Sequence, residues 1–473
     1  MRILVVRTEL PWPLCHGGRL HAYELCKRLA ERHQLLLLAQ RPGPVADPPL
    51  SFPWAVCDQK APSSARLEAD MPDLALDTCA KGPLPDQSLA HEEAVILSRL
   101  ERFFGIDAHF VGDVVRFARQ WRPDVAIGMG YQTLSCLSRL PEVPTICDLQ
   151  DDEALHAWRE LRCCGWGAKW PAFKAFLAML LYQRTLLGRV DAATVLSEAD
   201  RRFCRLHTGH RRIAFIPHGV DCDAYRPMAD AEEPDHVIFW GVLDFGPNLR
   251  AIEFFADQVW PRVRALRPQL RWTILGPGDP AALRRLRSVP GINFLGRVED
   301  IRPHVARAAV AIVPMVSGAG IKNKIMEAWA MGKAVLCTPT ALGSLPGTHG
   351  KDVWLARSPK EWANGLDKLL GDGSLRGRLG AGARQTALSA CSWDRAASEL
   401  EKLCGEVIQG RAKDPARRDQ RPLDSRSAGC DEMPMPETCT DNAGLAESGR
   451  WGVDLSKHAD AQSKNELVQV CQS

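Results

Sequence analysis

This 473-residue chain lacks several of the sequence features that would assign a function on sight. Its sixteen cysteines include no Cys-x-x-Cys pair, so the commonest zinc and redox motifs are excluded. No Gly-x-Gly-x-x-Gly follows the first predicted strand, where a dinucleotide-binding fingerprint would lie. The formal net charge is only +3, and no sustained basic stripe with interleaved aromatic residues indicates a nucleic-acid-binding protein. Function must therefore be sought in less conspicuous patterns.

Long hydrophobic runs are also missing. Residues 3–6 form an apolar run of strand length that ends at Arg7, unlike the hydrophobic region of a signal peptide. The longest apolar stretch, residues 172–187, is interrupted by Lys174 and Arg184 and cannot span a bilayer. We therefore expect a cytoplasmic protein whose cysteines are mostly small buried hydrophobes rather than partners in disulfides.

The order of predicted elements indicates the fold class. Short apolar runs alternate with segments of helical periodicity, and this series occurs once before residue 228 and again after residue 235. Such alternation predicts an α/β protein made of two Rossmann-like doubly wound domains facing a cleft. The predicted parts are an N-terminal domain (1–227), a linker (228–235), a C-terminal domain (236–390), a helix packing back on the first domain (391–410) and a disordered tail (411–473).

Residues 310–338 contain the strongest local indication of a ligand site. A buried strand runs into a turn that contains Gly318, and a helix with one apolar face follows. The first amides of a helix lack internal partners and favour anions, and Lys322 and Lys324 add positive charge in that turn. Glu327, about one turn further on, can reach the hydroxyls of a sugar or a ribose. An ordinary strand–helix unit with solvated lysines explains the same residues equally well.

Two further patterns lie in the first half. The acidic run at residues 148–153 follows a predicted strand, where open α/β sheets place functional groups. Its carboxylates could contact an acceptor, bind a metal or cap the next helix, and we predict that Asp148 or Asp151 faces the cleft. Gly17 and Gly18 at the entrance of the first helix suit either a backbone approach by a diphosphate or a plain loop.

A helix between residues 172 and 190 mixes apolar and basic positions, and Trp158, Trp166 and Trp170 lie just upstream of it. Two interpretations stay open. The helix lies on an anionic membrane surface, or it is a core helix whose basic side chains extend to solvent.

Several short motifs of the second half occur together: Phe239-Trp240-Gly241 with Pro247-Asn248, Leu275-Gly276, Gly296-Arg297-Val298-Glu299-Asp300-Ile301-Arg302, Gly320-Ile321-Lys322-Asn323-Lys324 with Met326-Glu327-Ala328, and Gly332-Lys333-Ala334-Val335. On these motifs the chain resembles a family 4 glycosyltransferase with the two-domain GT-B fold. It is most similar to the sugar transferases of bacterial exopolysaccharide (PEP-CTERM/EpsH-type) gene systems. In the first half, Gly17-Gly18 and residues 217–221 are also similar, although the family usually has Asn at His218.

The resemblance implies a nucleotide-sugar donor, transfer with retention of anomeric configuration, and no metal or other cofactor. By position, Gly18 and the amides after Gly318 would hold the diphosphate, Lys324 would neutralise the leaving group, and Glu327 would bind the ribose. The remaining expected donor-site residues are Gly17, Gly241, Gly276, Arg297, Val298, Gly320, Ile321, Lys322 and Asn323, with the backbone around Arg297 and Val298 holding the base. The catalytic candidates are Lys324, Asp148 and Asp151, and the expected partner is a glycan or lipid-linked acceptor at the membrane surface.

One departure from the family keeps other functions open. The family has two glutamates with seven residues between them, and Ala319 stands where the first would be, although Glu327 matches the second. An inactive subunit that keeps the fold and binds a partner enzyme is one alternative. A nucleotide-sugar epimerase or a phosphorylase of the same fold is another.

Overall fold

The structure is a computed structural model that describes residues 1–14, 17–41, 48–57, 65–66, 91–163, 165–229, 232–317 and 322–413. The predicted tail therefore lies outside the described residues, apart from its first three positions. Within the described ranges the chain forms two sheets, each flanked by helices.

The first domain is built on a sheet whose strands follow the order β4-β3-β2-β1-β5-β6-β7-β8 and are parallel except for β4. Its strands are β1 Arg2–Glu9, β2 Gln34–Arg41, β3 Trp54–Val56, β4 Ala65–Arg66, β5 Val125–Met129, β6 Thr145–Gln150, β7 Ala192–Val195 and β8 Ile213–Phe215. Its helices are α1 Gly17–Ala30, α2 His91–Phe103, α3 Ala108–Trp121, α4 Leu134–Leu137, α5 Glu153–Cys163, α6 Lys169–Leu187 and α7 Glu198–Thr208.

The second domain is built on a parallel sheet with the order β11-β10-β9-β12-β13-β14. Its strands are β9 Glu233–Trp240, β10 Arg271–Leu275, β11 Ile292–Gly296, β12 Ala308–Val313, β13 Ala334–Cys337 and β14 Trp354–Leu355. The helices that follow are α8 Gly246–Phe254, α9 Trp260–Leu266, α10 Ala281–Arg284, α11 Arg302–Arg307, α12 Asn323–Ala330, α13 Pro339–Leu342, α14 Pro359–Gly371, α15 Gly373–Ala390 and α16 Trp393–Lys413.

The central strands are apolar on both faces because helices cover both sides of each sheet. In β1 the residues from Ile3 to Val6 are fully buried, and β12 is buried along its whole length. The strand order reverses between β1 and β5 in the first sheet and between β9 and β12 in the second. These reversals leave a crevice at the carboxyl ends of the strands in each domain. The predicted fold class is confirmed.

Strand β9 begins earlier than the apolar pattern predicts. Its first residue, Glu233, pairs with Ala308 of β12 and forms an ion pair with Arg271 of β10. Residues 233–235 therefore belong to the sheet rather than to the predicted linker. They gave no apolar signal because they lie at the amino edge of the sheet, where side chains reach solvent.

Helix α16 follows the second domain in sequence but packs on the first. Its apolar face joins the core formed by α1, β1 and β2, with Trp393, Leu400 and Cys404 almost fully buried. Ion pairs help to fix its position, among them those from Arg28 to Asp394 at 3.0 Å and from Arg411 to Asp191 at 2.7 Å. The helix continues to Lys413, beyond the predicted end at residue 410.

Candidate functional site

The predicted donor-site residues of the second domain gather at one edge of its sheet. Gly241, Gly276 and Arg297 directly follow β9, β10 and β11, and Lys322 precedes α12 after β12. Because these strands are parallel, their carboxyl ends meet at the same edge. The edge includes the β9/β12 reversal, which is where doubly wound sheets bind ligands.

Two glycines form the backbone floor of this edge. Gly241 and Gly276 have φ angles of 145° and 136°, which favour glycine. A Cβ atom at Gly276 would lie 1.9 Å from the carbonyl oxygen of Gly241, so the two turns touch through bare backbone. Their amides are bonded to the neighbouring strand ends, at 3.0 Å to Leu275 and 2.8 Å to Gly296. The floor is therefore rigid and carries no side chains.

Lys324 supplies a half-buried cation above this floor. Its Nζ donates a hydrogen bond to Asn248 Oδ1 at 3.1 Å and lies 5.2 Å from the centre of the Phe239 ring. Burial lowers the pKa of this lysine to about 8, although the carboxylate of Glu327 opposes the shift. The ammonium group is thus desolvated and bonded to a neutral amide, which favours an anionic ligand.

Glu327 lies one turn further along α12. Its Oε2 accepts a hydrogen bond of 2.7 Å from the indole N–H of Trp240. Burial raises the pKa of this carboxyl, while the Trp240 hydrogen bond and Lys324 act in the opposite direction. The hydrogen bond fixes the orientation of the carboxylate, so its position is preorganised for a hydroxyl ligand.

Sequence reasoning missed Trp240 and Asn248 as site residues. Asn248 is buried, and its Nδ2 also donates to the carbonyl of Val242 at 2.8 Å, which ties α8 to the loop after β9. The only signal in the sequence was their presence in the Phe-Trp-Gly and Pro-Asn motifs. Their partners on α12 are 87 and 76 positions away, so their role required the fold.

The remaining predicted donor residues differ in how the structure places them. Arg297 is exposed, and Val298 is half-buried against the core of the second domain. Lys322 is buried at the start of α12, and Asn323 is half-buried beside it. Three predicted residues lie outside the described residues: Gly318, Gly320 and Ile321.

Asp148 does not face the cleft as predicted. It is only 2% exposed, its Oδ1 accepts a hydrogen bond from the Thr194 hydroxyl at 2.7 Å, and its Oδ2 lies 2.9 Å from His21 Nε2. Burial alone would raise its pKa, but His21 and the Thr194 hydroxyl hold the pKa below its usual value. The side chain ties β6 to β7 and α1, so its observed contacts are structural.

Asp151 lies past the end of β6, where the residue is accessible to solvent but its carboxyl group is partly enclosed by a pocket. Burial of its carboxyl and the nearby Asp200 raise its pKa, and Lys322 of the second domain acts against this rise. The helix-capping role belongs to neighbouring Asp152, whose Oδ1 accepts a hydrogen bond of 2.9 Å from the Leu155 amide.

Gly18 and Asp151 line one pocket of about 220 Å³ in the first domain, together with Arg7, Tyr131 and Gln150. Arg7 donates a hydrogen bond to the Gly18 carbonyl at 3.0 Å. A Cβ atom at adjacent Gly17 would meet no described protein atom nearer than His218 Nε2 at 4.0 Å, so packing alone does not require glycine there. The pocket brings the predicted glycine turn and the acidic loop together.

One cluster with metal-ligand chemistry lies behind the acidic loop. Asp152, Cys204 and His207 place ligand atoms within 4.8 Å of one another. Both ring nitrogens of His207 already have protein partners, with Nδ1 2.9 Å from the Phe203 carbonyl and Nε2 3.0 Å from Gln183 Oε1. Burial also raises the pKa of the Cys204 thiol, which disfavours the thiolate. The group is better explained as core packing between α5 and α7.

Two family models match consecutive parts of the chain. Residues 16–224 match the model described as Glycosyltransferase Family 4, and residues 234–372 match the model described as Glycosyl transferases group 1. Over 231 residues the chain is 27% identical to a D-inositol 3-phosphate glycosyltransferase of Stackebrandtia nassauensis. This match covers 44% of the chain and about half (51%) of the relative.

Solved structures share the fold over most of the chain. A sucrose-phosphate synthase from Thermosynechococcus elongatus superposes with a TM-score of 0.60 at 15% identity, covering 87% of this chain and 100% of the other. Alr3699/HepE of Anabaena, solved in complex with UDP, superposes with a TM-score of 0.56 at 15% identity, covering 86% and 100%. Among the helices that the structure describes, none is long and apolar enough to cross a membrane.

Proposed function

We propose that this chain, both halves of which match glycosyltransferase families, is a retaining glycosyltransferase. It transfers a sugar from a nucleoside-diphosphate sugar to a glycan or lipid-linked acceptor in the synthesis of a bacterial exopolysaccharide or other surface polysaccharide. The match to the two family models and the GT-B-like pair of domains support the transferase activity. The finer assignment rests on the resemblance of the sequence motifs in the second half to exopolysaccharide-associated transferases.

The observation that carries the proposal is the pair formed by Lys324 and Glu327 at the β9/β12 reversal. Lys324 offers a desolvated ammonium group where a diphosphate leaving group gains charge as the bond to the sugar breaks. Glu327 is held by Trp240 and offers a carboxylate to the ribose hydroxyls one helical turn away. The touching turns at Gly241 and Gly276 add a backbone floor without side chains at the same edge.

The proposed transfer does not use a metal ion. At the donor edge the charged group facing the leaving diphosphate is an ammonium, and the carboxylate of Glu327 is engaged by Trp240. We expect the initial rate to stay unchanged in EDTA and without added divalent ions. Restoration of activity by a divalent ion after chelation would contradict this part of the proposal.

The first experiment is a thermal-shift screen of the full chain against UDP, GDP, ADP and their common sugar conjugates. Binding to the native state raises the melting temperature, so one nucleotide should give a concentration-dependent shift. For that nucleotide, Lys324→Ala should raise the Kd by about tenfold or more, because a hydrogen bond to a charged group contributes about 1.5–3 kcal/mol.

Lys402→Ala is the matched control, since Lys402 is exposed on α16 away from the donor edge. An unchanged Kd in Lys324→Ala, with Lys402→Ala also unchanged, would overturn the donor-site assignment.

The second candidate function is an inactive subunit that binds a nucleotide sugar without transferring it. Ala319 favours it, because the family places a carboxylate at this position beside the sugar. A nucleotide shift without release of nucleoside diphosphate, in the presence of membrane extracts containing acceptors, would favour this function. Release of diphosphate that depends on the acceptor would favour the transferase. An epimerase would instead convert the sugar nucleotide without any acceptor.

A further inference from the structure

Helix α6 and the turn before it expose a stripe of large apolar side chains. Their spacing places the helical members on one face of α6, since positions three, four and seven residues apart share a face. The exposed fractions are 93% for Trp166, 65% for Trp170, 41% for Phe173, 44% for Leu177 and 43% for Leu181. Single exposed apolar residues need no explanation, but a contiguous row of five marks an interaction surface.

Basic side chains of α6 flank the apolar stripe. The sequence of α6 contains Lys169, Lys174 and Arg184 and no acidic residue. Lys174 and Arg184 are exposed, and the Lys174 ammonium lies 5.7 Å from the centre of the Trp170 ring. Trp170 in turn stacks on Phe173 with ring centres 5.9 Å apart. Aromatic rings beside basic side chains suit the boundary between lipid headgroups and acyl chains.

The length of α6 determines where this surface lies. Nineteen residues of helix span about 28 Å, whereas the four residues of β7 span only about 13 Å. The chain enters β7 at the amino edge, because Ala192 pairs with Ile146 near the start of β6. The buried residues of α6 all lie between Met179 and Leu187. The first half of α6 therefore extends past the carboxyl edge of the sheet, the edge that holds the Asp151 pocket.

Helix α5 braces this extension. It leaves the same carboxyl edge directly after β6 and packs along α6, with the Trp158 and Phe176 ring centres 5.4 Å apart. Lys169 Nζ donates a hydrogen bond of 2.7 Å to the Leu161 carbonyl and so closes the tip of the helical pair. Trp166 and Trp170 are thus held at the end of a supported projection.

We propose that the tip and exposed face of α5–α6, defined by Trp166, Trp170, Phe173, Lys174 and Leu177, bind an anionic lipid bilayer. The tryptophans insert at the headgroup boundary, and Lys174 and Arg184 contact lipid phosphates. Charge complementarity selects this occupant, because a helix without acidic residues matches a negatively charged membrane surface. The membrane then lies beside the Asp151 pocket, so a lipid-linked acceptor reaches the cleft without leaving the bilayer. This last consequence rests on the proposed function, whereas the binding surface does not.

The test is vesicle flotation of the full chain with phosphatidylcholine vesicles that contain or lack phosphatidylglycerol. We expect binding to the anionic vesicles, weaker binding to the neutral ones, and a decrease as salt rises. Trp166→Ser with Trp170→Ser should reduce the partition coefficient by about tenfold or more, because each tryptophan contributes a large apolar area. Lys174→Glu with Arg184→Glu should reduce binding to the anionic vesicles alone.

Two variants distinguish this surface from general stickiness. Leu388→Ser removes a comparably exposed apolar side chain from α15, and Lys402→Glu reverses an exposed charge on α16; both should bind vesicles like the wild type. Nucleotide thermal shifts should be unchanged in the tryptophan variant, which shows that it is folded and separates this test from that of the donor site. No binding of the wild type to anionic vesicles, or equal binding by the tryptophan variant, would overturn the proposal and leave a protein partner as the occupant.

Discussion

At the scale of single residues, the chemistry of the donor edge depends on the titration of Lys324. Its pKa of about 8 leaves the side chain mostly protonated at neutral pH. Desolvation makes this charge costly in the free protein, and a bound diphosphate relieves that cost. The affinity for a nucleotide is therefore linked to the protonation of this lysine.

We expect nucleotide affinity to fall as the pH rises through about 8. The diphosphate binds the protonated form of Lys324. Above the pKa of Lys324 the free protein must therefore take up a proton in order to bind the nucleotide. The affinity then falls by up to about tenfold per pH unit. Calorimetric Kd values from pH 7 to pH 9.5 measure this. The same pH series on Lys324→Ala identifies any contribution from titration of the nucleotide base. Only the pH dependence that disappears in this variant belongs to the lysine. A wild-type profile identical to that of the variant would contradict the assignment.

The hydrogen bond from Trp240 to Glu327 gives a second prediction. Trp240→Phe should weaken nucleotide binding, because the carboxylate loses the donor that orients it. Trp362→Phe is the matched control. It lies in the same domain, loses the same volume, and its indole nitrogen has no hydrogen-bond partner among the described residues. We expect both variants to lose a similar amount of stability, but only Trp240→Phe to show a raised Kd for the nucleotide. If the Kd is the same in both variants, the hydrogen bond contributes to stability only.

At the scale of elements, α15 supports the donor helix from behind. Gly380 is buried, and a Cβ atom there would lie 2.0 Å from the carbonyl oxygen of Gly332, the residue whose positive φ ends the turn after α12. The close approach of the two backbones positions α12, and with it Lys324 and Glu327. A larger side chain at this contact should therefore shift α12 and disturb the donor edge.

Gly380→Ala should destabilise the protein and weaken nucleotide binding, because the added methyl group meets a fixed carbonyl. Gly377→Ala, one turn earlier on the exposed side of α15, should stabilise it by about 1 kcal/mol, since no described atom lies within 4 Å and alanine is the better helix former. Urea denaturation of both variants measures the difference. The two substitutions should change the free energy of unfolding in opposite directions. Stabilisation by both would show that α15 moves to accommodate the added methyl group.

The sequence predicted which segments form strands and helices better than it predicted which way their side chains point. The glycine turns and the Lys324–Glu327 spacing were visible because strand–turn–helix units have local signals. Asp148 was misplaced because every residue of β6 from Thr145 to Leu149 is buried, so no alternation of polar and apolar positions shows which side chain reaches solvent. The pairing of Trp240 with Glu327 could not be predicted, since it depends on which strands become neighbours.

At the scale of the whole molecule, α16 joins the two ends of the described chain. The chain passes between the domains near Val220 and again near Cys391, and these passages are bonded to each other by the Val220 amide and the Cys391 carbonyl at 2.7 Å. Beside them, the ring of His218 packs on Trp393 with centres 4.5 Å apart. The first domain thus takes part of its core from a helix that follows the second.

Leu400→Ala should destabilise the first domain although the residue lies beyond the second domain in sequence. Removing a buried leucine costs about 2–5 kcal/mol, and Leu400 packs in the core of α1, β1 and β2. Hydrogen exchange should show faster exchange in β1 and β2, with β12 and β13 less affected. Faster exchange restricted to the second domain would contradict the assignment of α16 to the first core.

The position of α16 also has a consequence for how the chain is made. The sheet of the first domain has emerged from a ribosome once Phe215 is clear, but the helix that covers α1 follows about 200 residues later. At translation rates of about 5–20 residues per second that delay is about 10 to 40 seconds. During this time the apolar face around Leu25 and Leu29 has no covering helix, so the nascent chain offers it to chaperones, and the first domain is completed only after the second has been synthesised.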